Sequence, residues 1–211
     1  MMRRLSEPVS GNLFNLCTIY YSLCAVYYSG ILPADIIFYF TYFTPDALNL
    51  HNMDLVFRTI PEHRDIERVR EIVDSTKFFY DHEVEIAAEL VAERLEGGEA
   101  TGYFFVFAEL DGKTVAYSCF GPISMSRTSF DLYWIAAHND YRGKGIGRMV
   151  MEETCRLARE MGCSILIAET SGLPHYEPTR AFYINNGYVL EASLKDFYAM
   201  GDDKLFYTKR I

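Results

Sequence analysis

The spacing of apolar side chains after residue 53 follows two periods, one of two residues that is typical of strands and one near 3.6 that is typical of helices. In chain order it predicts a strand, two helices, three strands, a helix, a strand, a helix and two final strands, written β-αα-βββ-α-β-α-ββ. The predicted elements fall at residues 55–60, 61–73, 84–95, 103–110, 114–120, 131–137, 146–161, 164–168, 178–185, 188–192 and 204–209. The apolar strand at 164–168 is typical of a buried parallel strand, so the order predicts an α/β fold of the α+β kind.

The first 52 residues differ from the rest because they are almost uncharged and strongly apolar. The stretch 13–32 is long enough to cross a bilayer, although four tyrosines and several hydroxyl and amide side chains make it a poor span. We favour translation that begins at Met53; the alternatives are a hydrophobic appendage that associates with a membrane surface, and an exported signal or anchor. The expected domains are therefore an apolar extension, 1–52, and a folded domain, 53–211.

The overall charge and the reactive residues narrow the class of protein. A net charge of −9 and an isoelectric point near 5.0 argue against a nucleic-acid binder, which normally presents a basic surface, and are compatible with a cationic substrate. The five cysteines include no C-x-x-C pair, as expected for buried thiols in a reducing compartment. His138 and His175 are isolated from other ligand-type residues, so we expect no metal.

The most informative polar segment is Tyr141–Gly147, which lies between the strand at 131–137 and the helix at 146–161 and reads Tyr-Arg-Gly-Lys-Gly-Ile-Gly. Its alternating glycines let the backbone bend tightly and bring several amide N–H groups to one anion, and the start of the helix adds further unpaired N–H groups. Arg142 and Lys144 would add positive charge at the phosphate oxygens. The segment departs from G-x-G-x-x-G, because Arg148 stands where the third glycine belongs, and it lacks the Gly-Lys-Ser/Thr of a Walker loop.

The segment Arg-Gly-Lys-Gly-Ile-Gly resembles the Q/R-x-x-G-x-G/A signature of the GCN5-related N-acetyltransferases, the GNAT superfamily, and the resemblance in element order extends over residues 53–211. It implies the GNAT fold, a mixed twisted sheet of six to seven strands flanked by about four helices, with acetyl-CoA as co-substrate. In that family the glycine loop binds the pyrophosphate, and the preceding strand pairs with the pantetheine. The cofactor-binding residues that it implies here are Ile135, Ala136, Ala137, Arg142, Gly143, Lys144, Gly145, Ile146, Gly147, Thr179 and Phe182.

The segment Arg180–Tyr188 resembles a late helix of the family, which ends in an aromatic residue or leucine, a tyrosine and then a Gly-aromatic step. In the family the tyrosine points its hydroxyl at the CoA sulfur, so the resemblance implies Tyr183 as the general acid. Many members carry an asparagine seven residues earlier, where this chain has Tyr176. Thr179 or Glu177 would then replace that contact with the pantetheine.

Acetyl transfer to an amine also needs a base, because an amine with a pKa near 10.4 is mostly protonated at pH 7, at a penalty of roughly 4 to 5 kcal/mol. In the histone-acetyltransferase branch of the family a glutamate at the position of Asp131 has this role, usually through water. Glu169, at the carboxyl end of the next strand, is the second candidate, and Glu83 and Glu85 are the others.

The acceptor stays open between a small-molecule amine and a protein amine. The tail Asp196–Lys204 forms either a tight Gly-Asp-Asp turn, which we favour, or an amine pocket built by Tyr198, Asp202 and Asp203. The expected activity is acetyl-CoA-dependent N-acetyl transfer by direct attack in a ternary complex. Transfer from another acyl-CoA and a regulatory CoA-binding module without turnover are the alternatives.

The implied co-substrate also predicts where the protein acts. Because acetyl-CoA is an intracellular compound, we expect a cytoplasmic protein without nucleic-acid partners. Membrane association is expected only through residues 1–52, and a homodimer stays open.

Overall fold

The structure, a computed structural model, describes residues 54–211. Its elements are β1 (Leu55–Arg58), α1 (His63–Ser75), α2 (Asp81–Gly97), β2 (Phe104–Leu110), β3 (Lys113–Pro122), β4 (Ser129–Ala137), α3 (Ile146–Glu160), β5 (Ile165–Ser171), α4 (Glu177–Asn185), β6 (Val189–Ala199) and β7 (Asp202–Arg210). The extension 1–52 and the start at Met53 lie outside the described residues, so the expectations for them stay predictions. Within 54–211, no helix combines the length and the apolar character needed to span a bilayer.

The strands form one seven-stranded sheet in the order β1-β2-β3-β4-β5-β7-β6. β4 and β5 pair in parallel, and the other neighbouring strands pair antiparallel. The helix α3 connects the two parallel strands, as a parallel crossover requires. The predicted fold class and element order are therefore confirmed, including the parallel strand near 164–168.

Helices cover both faces of this sheet with amphipathic surfaces. On one face, α1 and α2 bury Val69, Val73 and Val91 against aromatic side chains of β2 and β3. On the other face, α3 buries Ile146 and Val150 against the same sheet. The period near 3.6 in the sequence correctly predicts the buried faces of these helices, because burial of one helix face is what produces the pattern.

A buried ion-pair network ties β1 to the helix that follows it. Asp65 is fully buried, and its two oxygens accept hydrogen bonds from Arg58 at 2.8 and 2.7 Å. The Asp65 carboxylate also accepts the Glu62 N–H at 2.7 Å, which completes a capping box at the start of α1. Glu109 on β2 accepts from Arg58 Nε at 3.0 Å. The network therefore joins β1, α1 and β2 through one guanidinium group.

The last hairpin is longer than the sequence predicts. β6 and β7 extend to a turn at Met200–Gly201. The sequence pattern does not predict this added length, because a bulge in β6 interrupts the alternation of apolar residues. Register passes from Leu194 opposite Lys204 to Ala199 opposite Asp202, so residues 195–198 face a single residue of β7. That single residue, Asp203, holds the bulge by accepting the Asp196 N–H at 3.0 Å. The apolar period fails here because the bulge changes which side chains share a face.

Candidate active site

β4 and β5 run side by side at their start and then separate. They pair from Ser129 with Ile165 to Leu132 with Ala168, and the described strands have no later pair, although β4 continues to residue 137 and β5 to residue 171. Tyr133 is an extra residue of β4 opposite β3, a β-bulge that bends the strand. The opening leads into a cavity of about 900 Å³ that reaches the first turns of α3 and α4.

This cavity brings together nearly all of the predicted site residues. Those that line it are Asp131, Ile135, Ala136, Ala137, Arg142, Gly143, Gly145, Ile146, Gly147, Glu169, Thr179, Phe182 and Tyr183. Of the alternatives that the sequence left open, Glu83 lines the cavity, whereas Glu85 instead pairs with Arg70 at 2.9 Å. Thr179 lines it and Glu177 does not.

The glycine turn before α3 presents a row of unpaired amides. Gly143 and Gly145 have φ angles of 73° and 77°, the left-handed region that favours glycine. The Met149 N–H donates to the Gly145 carbonyl at 3.2 Å and closes the first helical turn. The amides from 143 to 148 donate to no acceptor within residues 54–211. Together with the positive end of the α3 dipole, this row is suited to hold an anion such as a phosphate group.

The basic side chains of the turn point in different directions. Arg142 and Arg148 line the cavity, whereas Lys144 does not. Instead, Lys144 Nζ donates to the Asp140 carbonyl at 2.9 Å and lies 5.0 Å from the centre of the Tyr141 ring. The positive charge at this end of the cavity therefore comes from Arg142 and from Arg148, whose Nε also pairs with Glu152 at 2.8 Å. Only the backbone of Lys144 belongs to the row of amides.

Tyr183 on α4 is a buried tyrosine whose hydroxyl has no hydrogen-bond partner within the described residues. Its side chain is 6% exposed, and its ring packs against Tyr188 and Tyr207 at centroid distances of 5.4 and 5.8 Å. Burial raises the pKa of Tyr183 above its ordinary value. The hydroxyl therefore stays protonated near neutral pH, and it lines the same cavity as the glycine turn.

Asp131 and Glu169 lie on the same face of adjacent strands, since Asp131 is opposite Ile167 in the parallel register. Burial, followed by the charge of Glu169, raises the pKa of Asp131 to about 6, while Lys204 opposes the shift. Lys204 forms an ion pair with Glu169. Within 54–211, Asp131 has neither a hydrogen bond nor an ion pair of its own, so its carboxylate is free to accept a proton.

A second acidic and aromatic group lies beyond these two carboxylates. Glu83 on α2 and Asp202 on β7 line the cavity together with Tyr176 and Tyr198. The Tyr198 side chain is about half exposed, and its partial burial raises its pKa to about 12, with the charges of Glu169 and Asp202 and then Glu83 adding to the shift. Burial also raises the pKa of Tyr176, again with contributions from Glu83 and Asp202. The charges of both carboxylates therefore act on both tyrosines.

The two interpretations of the tail Asp196–Lys204 turn out to be compatible. The chain reverses at Met200–Gly201, and the bulge before it places Tyr198 at the cavity wall. Asp202 also lines the cavity and accepts the Ser171 hydroxyl at 2.5 Å, whereas Asp203 holds the bulge and does not line the cavity. A turn and a part of the cavity wall therefore come from the same nine residues.

Comparison with known proteins identifies the family. The sequence profile of the acetyltransferase (GNAT) family matches residues 66–188, which is more than half of the chain. The chain belongs to the GNAT family. The matched segment of this GNAT protein contains the glycine turn and Tyr183, so it includes the residues that first indicated the resemblance. No curated protein is similar enough to the chain to count as a match.

Solved structures share the GNAT fold over nearly their whole length. A GNAT-family protein from Desulfovibrio desulfuricans is 42% identical, with a TM-score of 0.73, and the match covers 74% of this chain and 98% of that one. The ribosomal-protein-alanine N-acetyltransferase of Brucella melitensis is 24% identical, with a TM-score of 0.60 and coverage of 74% and 99%. PaiA N-acetyltransferase of Thermoplasma acidophilum in complex with coenzyme A is 15% identical, with a TM-score of 0.56 and coverage of 75% and 100%. At such identities, the last two show the fold alone.

Sequence reasoning missed part of the aromatic wall of this GNAT cavity. Phe78 and Tyr80, in the loop between α1 and α2, line it, and the Phe78 ring lies edge-on to Tyr176 at a centroid distance of 4.7 Å. The run Phe-Phe-Tyr between two amphipathic helices is the signal that could have indicated them, because phenylalanine is usually buried and an aromatic run outside the helices needs a surface to pack against. Among residues 54–211, no three His, Cys, Asp or Glu side chains cluster so as to hold a metal ion.

Proposed function

We propose that this protein is an N-acetyltransferase that moves an acetyl group from acetyl-CoA to an amine by direct attack within a ternary complex. One observation carries the proposal: a row of unpaired amides, an unpaired buried tyrosine hydroxyl and an unpaired carboxylate line the same cavity. They match the three needs of the reaction, which are an anchor for phosphates, a proton donor for the leaving sulfur and a base for the amine.

The residues of the cavity fit the parts of acetyl-CoA. The amides of residues 143–148, with Arg142 and Arg148, would hold the pyrophosphate. The edge of β4 at Ile135–Ala137, left free where β5 turns away, would pair with the extended pantetheine, and Thr179 and Phe182 would line its path. Bound in this way, acetyl-CoA supplies an activated acyl group as a thioester.

The protein's own groups would manage the two protons. The attacking nitrogen forms a bond to the acyl carbon as the carbon–sulfur bond breaks. Asp131 accepts the proton that the nitrogen loses, through a water if the distance requires it, and a pKa of about 6 keeps this carboxylate ionised at neutral pH. Tyr183, protonated because its burial raises its pKa, donates a proton to the sulfur. Glu169 is the second candidate for the base, although its ion pair with Lys204 makes it a weaker one.

The proposal also includes a compartment and a broad class of acceptor. Because acetyl-CoA is intracellular, we propose that the protein acts in the cytoplasm. Its acceptor is an amine, either a small molecule or a group on a protein.

Replacement of Tyr183 by Phe tests the proposal, since it removes one hydroxyl and keeps the ring packing. We expect kcat to fall about 100-fold or more, while the Kd for CoA measured by calorimetry stays within twofold. Tyr188→Phe is the matched control: Tyr188 packs against Tyr183, but its hydroxyl donates to Met151 Sδ at 3.4 Å and does not line the cavity. That variant should keep its activity.

The same experiment distinguishes the competing functions. CoA binding without turnover in the wild-type protein, unchanged by Tyr183→Phe, would contradict the enzyme and support a regulatory module. Faster turnover with another acyl-CoA than with acetyl-CoA would replace the donor but leave the roles of the residues intact.

A further inference from the structure

Asp131 lies six residues before Ala137, the end of β4 from which the chain leads to the glycine turn, so the acidic and aromatic side chains around Asp131 mark a second end of the cavity. We call it the acceptor end and define it by Glu83, Asp131, Glu169, Tyr176, Tyr198 and Asp202. Its carboxylates come from four different elements, α2, β4, β5 and β7, so the tertiary fold and not a local sequence run brings them together.

The negative charge of the acceptor end is only partly compensated. Lys204 pairs with Glu169. Arg180 donates to the backbone carbonyls of Ser171 and Leu173, at 3.1 and 2.8 Å. Among the described residues, the lysines and arginines that line the cavity are Arg142 and Arg148, both at the glycine turn. Of the residues that the structure describes, none would offer a carboxylate on the acceptor molecule a free cation near Glu83 and Asp202, whereas a second ammonium group would find two anions.

The aromatic rings suit the same kind of group. Glu83, Asp202, Tyr176 and Tyr198 all line the same cavity, and the charges of the two carboxylates contribute to the raised pKa of both tyrosines. An ammonium group over an aromatic face is attracted by the ring as well as by nearby carboxylates. Tyr80, an exposed residue, also lines this cavity.

An independent observation indicates that a ligand reacts in this cavity. Tyr183 is more than nine-tenths buried, has no hydrogen-bond partner within the described residues and lines the cavity. Its oxygen is open to the cavity and is not enclosed by the described residues, so a molecule bound in the cavity can reach it. Asp131, also without a partner, belongs to the strand whose free edge borders the cavity. The reacting amine therefore belongs near Asp131, and the remainder of the acceptor extends toward Glu83 and Asp202.

We propose that the acceptor is a small aliphatic diamine, an inference that rests on the proposed function. Its reacting amine loses a proton to Asp131, and its second, protonated amine is held by Glu83 and Asp202 between Tyr176 and Tyr198. The reaction is balanced: the protonated amine loses one proton to Asp131, and its nitrogen then bonds to the acyl carbon as the carbon–sulfur bond breaks. The thiolate of CoA takes a proton from Tyr183, the second proton lost by the nitrogen restores Tyr183, and Asp131 releases its proton to solvent. A monoamine would leave the two distal carboxylates unpaired, and an ω-amino acid would place a negative charge between them.

The test compares three acceptors that share a four-carbon chain and differ in the group at its far end. The concentration of acetyl-CoA is fixed, and thiol release is the readout. They are 1,4-diaminobutane, 1-aminobutane and 4-aminobutanoate. We expect kcat/KM for the diamine to exceed that for the monoamine by about tenfold or more, because charge-assisted hydrogen bonds are strong, and 4-aminobutanoate to react most slowly.

Variants locate the preference at the two carboxylates. Glu83→Gln and Asp202→Asn should each reduce the preference of the diamine over the monoamine to about threefold or less. Glutamine at 83 still accepts the Tyr80 N–H that Glu83 accepts at 2.8 Å, so α2 keeps its cap. Glu85→Gln, on the same helix but paired with Arg70 and away from the cavity, should keep the full preference.

The outcomes separate this inference from the proposed function. Transfer to 1-aminobutane or 4-aminobutanoate with an efficiency equal to that for the diamine would uphold the acetyltransferase and overturn the diamine site. A diamine preference that survives both substitutions would also overturn it. Absence of acetyl transfer to all three amines would overturn the diamine inference alone, because a protein amine would remain as the acceptor; the proposed function is tested separately by CoA binding and by Tyr183→Phe.

Discussion

At the scale of single residues, burial leaves Asp131 and Tyr183 without partners of their own. A buried polar group is usually hydrogen-bonded, because desolvation without compensation is unfavourable. Both groups instead line the cavity. At neutral pH Asp131 is ionised and can accept a proton from an amine, and Tyr183 is protonated and can donate one to a thiolate. The same burial that makes them reactive should therefore make them costly to the folded protein.

Asp131→Asn should lower kcat/KM by about 100-fold, because asparagine cannot accept the proton of the amine. The raised pKa of Asp131, about 6, sets the pH dependence. Below that pH the carboxylate is protonated, so the wild-type rate should show a step near pH 6 that disappears in the variant. A profile of kcat/KM from pH 5 to 9 checks this. If Glu169→Gln removed the step and Asp131→Asn retained it, the base would be Glu169.

Asp131→Asn should lower the activity but raise the stability of the folded protein. The folded-state pKa of about 6 lies above the ordinary value of 3.8, so the protonated carboxyl favours folding below pH 3.8 and this advantage is lost as the pH rises through 6. After discounting for the partial exposure of Asp131, Asp131→Asn should raise the free energy of unfolding at pH 8 by about 1 kcal/mol. Urea unfolding at pH 8 and pH 4 is the measurement, and an equal gain at both would contradict the assigned cause.

The sequence predicts a site residue well when the residue acts through its backbone. It predicts poorly when the role depends on the direction in which the side chain points. Gly143 and Gly145 were predictable because a tight turn with exposed amides requires glycine. Lys144, between them, was predicted to face phosphate, yet its side chain turns back to Asp140. Tyr198 reaches the cavity only because a bulge displaces it, and no local pattern reports that displacement.

At the scale of elements, the order of strands and helices follows from one-sided burial, which leaves a clear period in the sequence. The β4 and β6 bulges leave no such period, because an inserted residue moves the side chains after it to the other face. β4 was nevertheless predicted well because its residues remain apolar on both faces beyond Tyr133. β6 is exposed throughout, so its apolar residues do not mark its full length.

The network around Asp65 predicts how β1, α1 and β2 depend on one another. Asp65→Asn keeps the size of the side chain but leaves the Arg58 guanidinium without its buried counter-charge. We expect a loss of about 3 kcal/mol in the free energy of unfolding, as is usual when one partner of a buried pair is removed. Chemical denaturation measures it. Glu67→Gln on the same helix is the control, since its exposed pair with Arg70 should contribute within about 0.5 kcal/mol.

A loss for Asp65→Asn as small as that of the control would show that Glu109 alone can satisfy Arg58. Its Oε1 accepts from both Arg58 and Arg64, at 2.9 and 3.0 Å, so it is the residue in position to do so.

At the scale of the whole molecule, cofactor binding should be measurable as stability. A ligand that binds only the folded state at 100 times its Kd adds about 2.7 kcal/mol, which corresponds to a rise of roughly 5 to 10 °C in Tm for a domain of this size. We expect this shift when CoA is added to the full chain. Arg142→Ala should require about tenfold more CoA for the same shift, because Arg142 lines the cavity at the glycine turn.

Arg127→Ala is the matched control, because Arg127 is exposed in the loop before β4 and does not line the cavity. It should respond to CoA as the wild-type protein does. Equal responses of all three proteins would remove Arg142 from the phosphate site, and a Tm that CoA leaves unchanged would contradict the site as a whole.

The separation of β4 from β5 has a consequence for how the chain avoids self-association. A strand with unpaired N–H and C=O groups is a template for another chain, which is why exposed sheet edges favour aggregation. Here such a template, at residues 133–137, lies in the middle of a seven-stranded sheet and opens into a cavity between helices. A narrow ligand can enter and pair with it, whereas a second sheet cannot. The protein can thus offer strand-like hydrogen bonding to a small molecule without offering it to its own copies.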